Sequence, residues 1–231
     1  LQADGKIVAA GTSAPAGFCC QFALARYHSN GSLDTSFGSG GVVTTIFGGS
    51  TQAFAVAIQA DGKIVAVGST SSPFADSFAL ARYNPNGSLD AGFGSGGKVT
   101  TDLGGFDEAR GIAIRADGRL VVVGAAGPSN DFVVVLYNTD GSLDTTFGSS
   151  GKVTTDFGGS DRASAVALQP DGKIVAAGTG LARFALARYE ANGALDLGFD
   201  GDGKVTTQFT GDNIESANGV AIQANGGVVA A

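Results

Sequence analysis

The chain has 231 residues, 43% hydrophobic and only 15% charged, and its net charge of −7 repels a phosphate backbone, which excludes nucleic acid as the expected partner. No apolar run approaches the ~20 residues of a membrane-spanning helix, so no membrane insertion is expected, and no charged-then-apolar leader is visible. Glycine fills 38 positions, above its usual ~7% share, and recurs at fixed places, which marks turns and not disorder.

Near the start stands Ala3-Asp4-Gly5-Lys6-Ile7-Val8, and this run returns at residues 60–65, 116–121 and 170–175, with a weaker copy from Ala224. The turn residues Asp4, Asp61, Asp117, Asp171 and Asn225 lie 57, 56, 54 and 54 residues apart. Such a period means that each unit buries its apolar faces against its neighbours. One repeat domain spans 1–231, with units at about 1–49, 50–105, 106–159 and 160–210 and a partial fifth at 211–231. The first and last residues fall inside repeats, so further repeats of the same polypeptide are expected.

Each unit reads as four short strands. In the second unit they are residues 54–59, 63–68, 78–83 and 98–103, rich in Val, Ile, Phe, Tyr and Thr and punctuated by Gly, Asn and Asp. No sustained 3.6-residue apolar period appears, so almost no helix is expected. The first strand sets small Ala55 and Ala57 on one face and bulky Val56 and Ile58 on the other, a wedge suited to radial packing. Asp61-Gly62 between two apolar runs predicts a two-residue type I′ hairpin. Lys98, Lys152 and Lys204 in the fourth strand suit an outer edge. The fold expected is all-β: a β-propeller of four-stranded antiparallel blades, about four repeats of ~55 residues, and a partial propeller. A β-helix is the runner-up.

Length variation sits in one loop. Gly11 to Phe22, Gly68 to Phe78, Gly124 to Phe132 and Gly178 to Phe184 are 11, 10, 8 and 6 residues apart, whereas Phe22 to Asp34 and its three counterparts are each 12 apart. This 2–3 loop and the 4–1 connection leave a meander on the same face, which is therefore the variable one. Insertions in repeat proteins map to the binding face. The polar candidates there are Asp107, Glu108, Arg110, Asp161, Arg162, Asp212 and Glu215. Two carboxylates among them at roughly 5–9.5 Å would suit a lyase or glycosidase. That is the alternative to a non-catalytic interaction or scaffold module with a protein or carbohydrate ligand.

Other chemistry is thin. His28, the single histidine, stands where other repeats have Asn84, Asn138 and Glu190, which reads as a solvated turn position and not a triad member. Adjacent Cys19 and Cys20 form neither a disulfide framework nor a zinc site. No cofactor is expected. The turns at 84–90 and 138–144 offer alternating oxygens but too few carboxylates for calcium, so no metal is expected. Arg26, Arg82 and Arg188 are expected to pair the repeated Asp; Leu136 replaces the arginine in the third repeat.

The string at residues 79–99, ALARYNPNGSLDAGFGSGGKV, with hairpins like that at 57–65, closely resembles the delta-60 repeat family. Leu-Asp-x-x-Phe-Gly at 33–38, 89–94 and 143–148 carries the resemblance, and the fourth repeat departs from it with Phe199-Asp200. The resemblance covers essentially the whole chain. It implies β-propeller modules of large exported bacterial proteins, secreted or at the cell surface, and brings no catalytic residues to carry over.

Overall fold

The structure is a computed structural model that describes residues 1–14, 20–71, 76–209, 211 and 214–231. Cys19 and Asp212 lie outside the described residues. The first sheet holds β1 (Ile7–Ser13), β2 (Gln21–Tyr27) and β3 (Val42–Thr45). The second holds β4 (Ser50–Ile58), β5 (Ile64–Ser71), β6 (Asp76–Tyr83) and β7 (Lys98–Thr101). The third holds β8 (Glu108–Ile114), β9 (Leu120–Ala126), β10 (Asp131–Tyr137) and β11 (Lys152–Thr155). The fourth holds β12 (Arg162–Leu168), β13 (Ile174–Gly180), β14 (Arg183–Tyr189) and β15 (Lys204–Thr207). A fifth has only β16 (Val220–Ile222) and β17 (Val228–Ala230). All pairings within the sheets are antiparallel and follow chain order, and no helix occurs among the described residues.

The first strand of each sheet packs on the first strand of the next, β4 on β8, β8 on β12 and β12 on β16. This stacking is that of β-propeller blades around an axis. The core accordingly lies between sheets. Val56 and Ile58 join Phe22, Leu24 and Phe37 of the first sheet, while Ala55 joins the cluster shared with the third. Bulky and slim faces meet, as the alternation in the first strand implies.

The junctions are also stitched by hydrogen bonds. Tyr83, Tyr137 and Tyr189 hydroxyls meet Thr45, Thr101 and Thr155 of the preceding sheet at 2.7, 2.8 and 2.8 Å. Gly38, Gly94 and Gly148 amides donate to the Asn86, Asp140 and Asn192 carbonyls of the next sheet at 2.8, 2.7 and 2.9 Å.

Two features differ from the sequence reading. The Asp61-Gly62 hairpin is not type I′. Gly62 alone has positive φ, at 82°, and its amide donates to the Gln59 carbonyl at 2.9 Å, while the Gln59 amide donates to the Lys63 carbonyl at 2.8 Å. This is a three-residue loop closed by a glycine bulge. Asp61 stays in ordinary backbone space and accepts the Lys63 amide at 3.1 Å. Second, β4, β8 and β12 each carry a bulge, between Ala53 and Ala55, Ala109 and Gly111, and Ala163 and Ala165. Among the described residues β16 pairs with β17, and β1 has a partner only in β2.

Candidate functional site

The 2–3 and 4–1 segments share one face, and a polar pocket of about 240 Å³ opens there across the second, third and fourth blades. Phe106 reaches it from the connection between β7 and β8 and Glu108 from the start of β8, Asn130 from the turn before β10, Ser160 from the connection between β11 and β12 and Arg162 from the start of β12. Ser69 and Asp76 close its far side. Phe106 is 69% exposed, an apolar ring offered to solvent at the rim. Arg162 makes no ion pair among the described residues, and its Nε is buried without a hydrogen-bond partner. Glu108 accepts from Arg110 Nε at 2.7 Å, and the Arg110 guanidinium lies 4.7 Å from the centre of the Phe54 ring.

The sequence candidates therefore divide. Glu108, Asp161 and Arg162 line the pocket and Arg110 braces Glu108 from outside it. Asp107 and Asp161 are buried, at 0% and 1% exposure, and both are engaged by backbone. Asp107 accepts the Leu103 amide at 2.5 Å and the Gly127 amide at 3.2 Å. Asp161 accepts the Phe157 amide at 2.7 Å and the Leu181 amide at 3.1 Å. Each ties a 4–1 connection to the 2–3 turn beside it. Glu215 sits at the junction with the fifth sheet, where it accepts the Phe209 amide at 2.8 Å.

The sequence candidates did not include Ser69, Phe106, Asn130 and Ser160, which carry no charge, nor Asp76, which does. One signal was present: the turn at 127–130 needs positive φ at Asn130, observed at 55°, and asparagine tolerates that geometry.

Asp131, Asp156 and Asp161 bring carboxylate oxygens within 4.8 Å of one another. Asp131 Oδ1 is buried without a partner. Burial first, then the charges of Asp156 and Asp161, push the Asp131 carboxyl above the usual carboxylate range. The matching positions hold Gln21, Ile46 and Thr51 in the first repeat, Ser77, Asp102 and Asp107 in the second and Arg183, Gln208 and Glu215 in the fourth, so among the described residues three carboxylates crowd at this junction alone. In the hairpin turns the oxygens serve the turn itself. Asp140 Oδ1 accepts the Ser142 amide at 2.9 Å and its hydroxyl at 2.7 Å.

The opposite face has wider clefts, of about 570 and 580 Å³, formed by the repeated turns. Their charged groups are already used. Arg82 holds Asp90 at 2.7 Å, Arg119 holds Asp117 at 2.7 Å, and Arg115 donates to the Ala191 carbonyl at 3.0 Å.

A family model described as "Domain of unknown function (DUF5122) beta-propeller" matches residues 2–37, 59–93, 115–147 and 169–199, more than half of the chain. No curated protein matches the chain. Among solved structures, the chain is similar to the PQQ-bound form of aldose sugar dehydrogenase from Streptomyces coelicolor, with a TM-score of 0.54 and 17% identity. The match covers 94% of this chain and 66% of that one, so the chain spans just under two thirds of that protein's length. At this identity the likeness shows the propeller fold alone.

Proposed function

The chain belongs to the DUF5122 beta-propeller family, and on that footing we propose that it is a non-catalytic binding module of an exported or cell-surface bacterial protein, taking a carbohydrate at the pocket on its loop face. The observation that carries this reading is Arg162, a cation without an ion pair among the described residues, set in one pocket with the exposed Phe106 ring. A sugar offers an apolar ring face and a fringe of hydroxyls. Phe106 suits the first. Arg162, Asn130 and Ser69 as donors and Asp76 and Glu108 as acceptors suit the second. At about 240 Å³ the pocket is smaller than the ~300–1,000 Å³ of sites for drug-sized ligands, so one sugar unit of a longer chain is the expected occupant. The carboxylates Asp107 and Asp161 spend their oxygens on backbone amides, which favours binding over acid–base catalysis. Export and the delta-60 assignment rest on the repeat resemblance.

A screen of immobilised oligosaccharides, followed by calorimetric titration of any that bind, tests the reading. Arg162→Ala and Phe106→Ala are expected to weaken binding about tenfold or more while the melting temperature holds. Retention of no saccharide, or binding indifferent to both variants, overturns it.

A further inference from the structure

The pocket on the loop face holds a cation and a carboxylate that have no ion-pair partner among the described residues. By register, Gln52, Glu108 and Arg162 are the same position in three successive blades, opposite Ser69, Ala125 and Thr179 of the second strand. The position is neutral in the second blade, acidic in the third and basic in the fourth. Glu108 and Arg162 both line the pocket, yet they do not pair. Arg110 neutralises Glu108 at 2.7 Å, and the fourth blade has Ser164 where the third has Arg110.

Asp161, next to Arg162 in the chain, does not serve it either. One of its oxygens accepts the Phe157 amide at 2.7 Å and the other the Leu181 amide at 3.1 Å. Asp76 lies on the far side of the pocket and makes no ion pair among the described residues. Arg162 Nε is thus left buried without a hydrogen-bond partner. A guanidinium presents Nε and one terminal nitrogen along a single edge, spaced for the two oxygens of a carboxylate. A sugar hydroxyl satisfies one of those donors. An anion with two oxygens satisfies both and offsets the cost of desolvating the charge.

We propose that the pocket takes a uronate unit, an acidic sugar whose carboxylate lies along the Nε edge of Arg162. The inference rests on the carbohydrate reading above and adds the charge of the sugar. Asp76 fixes the direction of binding. A carboxylate on its side of the pocket would meet a like charge, whereas a hydroxyl there donates to it. The acid therefore points at the fourth blade and the hydroxyl fringe at the second, with the ring face on the exposed Phe106. The net charge of −7 opposes any anion at long range, so the preference comes from contact with Arg162 and not from steering.

Tetramers of galacturonate, glucuronate and mannuronate, each beside its carboxyl-reduced twin, test this in buffer containing chelator. The chelator keeps a cation from bridging the acid to the nearby carboxylates. The readout is the ratio of dissociation constants within each pair of twins, measured by calorimetry. At least one acidic tetramer is expected to bind about tenfold or more tighter than its twin. Arg162→Gln should bring that ratio to about one, and Arg162→Lys, which keeps the charge but not the fork, should keep part of it. Arg183→Gln removes an exposed arginine of the same face, outside the pocket, and should leave the ratio unchanged. Twins bound equally, or a preference that survives Arg162→Gln, overturn the uronate inference and leave the carbohydrate reading standing. A sulfated neutral tetramer bound as tightly as the uronate overturns the choice of a carboxylate. Binding of no tetramer also overturns the uronate inference, and the broader oligosaccharide screen then decides the carbohydrate reading by itself.

Discussion

Arg119 grips the Asp144 carboxylate, which in the other blades is shared between an arginine on the third strand and the lysine at Arg119's own position, Lys6, Lys63 or Lys173. Those pairs are Arg26–Asp34, Arg82–Asp90 and Arg188–Asp196, at 2.8, 2.7 and 2.6 Å. Arg26 and Arg82 have a second task, donating to the Pro85 and Thr139 carbonyls of the next blade. In the third blade Leu136 fills the arginine position: Arg119 then holds the aspartate without a second cation, and Arg115 reaches the Ala191 carbonyl, the counterpart of Pro85 and Thr139.

Arg119→Leu should therefore destabilise more than removing an ordinary surface arginine. Asp144 has a side chain only 9% exposed and would lose its cation. Because Arg119 is itself a third exposed, the expected loss is about 1–2 kcal/mol, below that of a fully buried pair. Adding Leu136→Arg should recover part of it. Denaturant melts of the single and double variants check this; equal loss in both would show that the positions do not substitute for each other.

The Asp161 carboxylate binds two backbone amides, so Asp161→Ala should cost roughly 1–3 kcal/mol for each amide left without a partner. The same holds for Asp107→Ala, with the Leu103 and Gly127 amides. From sequence alone, both would be expected to affect ligand binding without affecting melting. The structure reverses this: both variants should melt early, and Arg162→Ala should not.

Asp131 is expected to be a liability at neutral pH. Its carboxyl is raised in the folded chain, by burial first and by Asp156 and Asp161 after that. The folded state thus holds its proton to higher pH than the unfolded state, and stability from this group falls as pH rises through the folded value. Asp131→Asn should raise the melting temperature at neutral pH, and the gain should fade as acid protonates the parent residue. A pH series of thermal melts showing a constant difference would contradict this.

Asp196 has the opposite sign. Lys173 first, with the Gly198 amide and Arg188, holds it down to about 2 against the opposing effect of burial. Its stabilisation is present above the ordinary aspartate value and is lost as pH falls through about 2. Asp196→Asn should therefore destabilise at pH 7 and converge with the parent chain in strong acid, as followed by circular dichroism.

Gly68→Ala should destabilise the second blade. A Cβ at Gly68 would overlap the Gln52 carbonyl at 1.8 Å, which no side-chain shift can relieve. Thermal melts should show a loss of several degrees, from roughly 1–3 kcal/mol of overpacking.

The repeat, its strands, the wedge of Ala55 against Val56 and the arginine–aspartate pairs were legible in residues 1–231, because a period of 54–57 states the same local solution several times. The variable face was legible too, since loops that pack on nothing are free to change length. What the linear chain did not disclose lies wherever two distant segments share one atom. The bulge in β4, β8 and β12 and the glycine notch opposite it arise from one strand's carbonyl meeting another strand's backbone. The transfer of the arginine's cross-blade bond to Arg115 depends on where a side chain from the neighbouring turn can reach. Asp107 and Asp161 looked like free surface charge because polarity is a property of a residue, whereas burial and hydrogen bonding are properties of its neighbours, which only packing brings together.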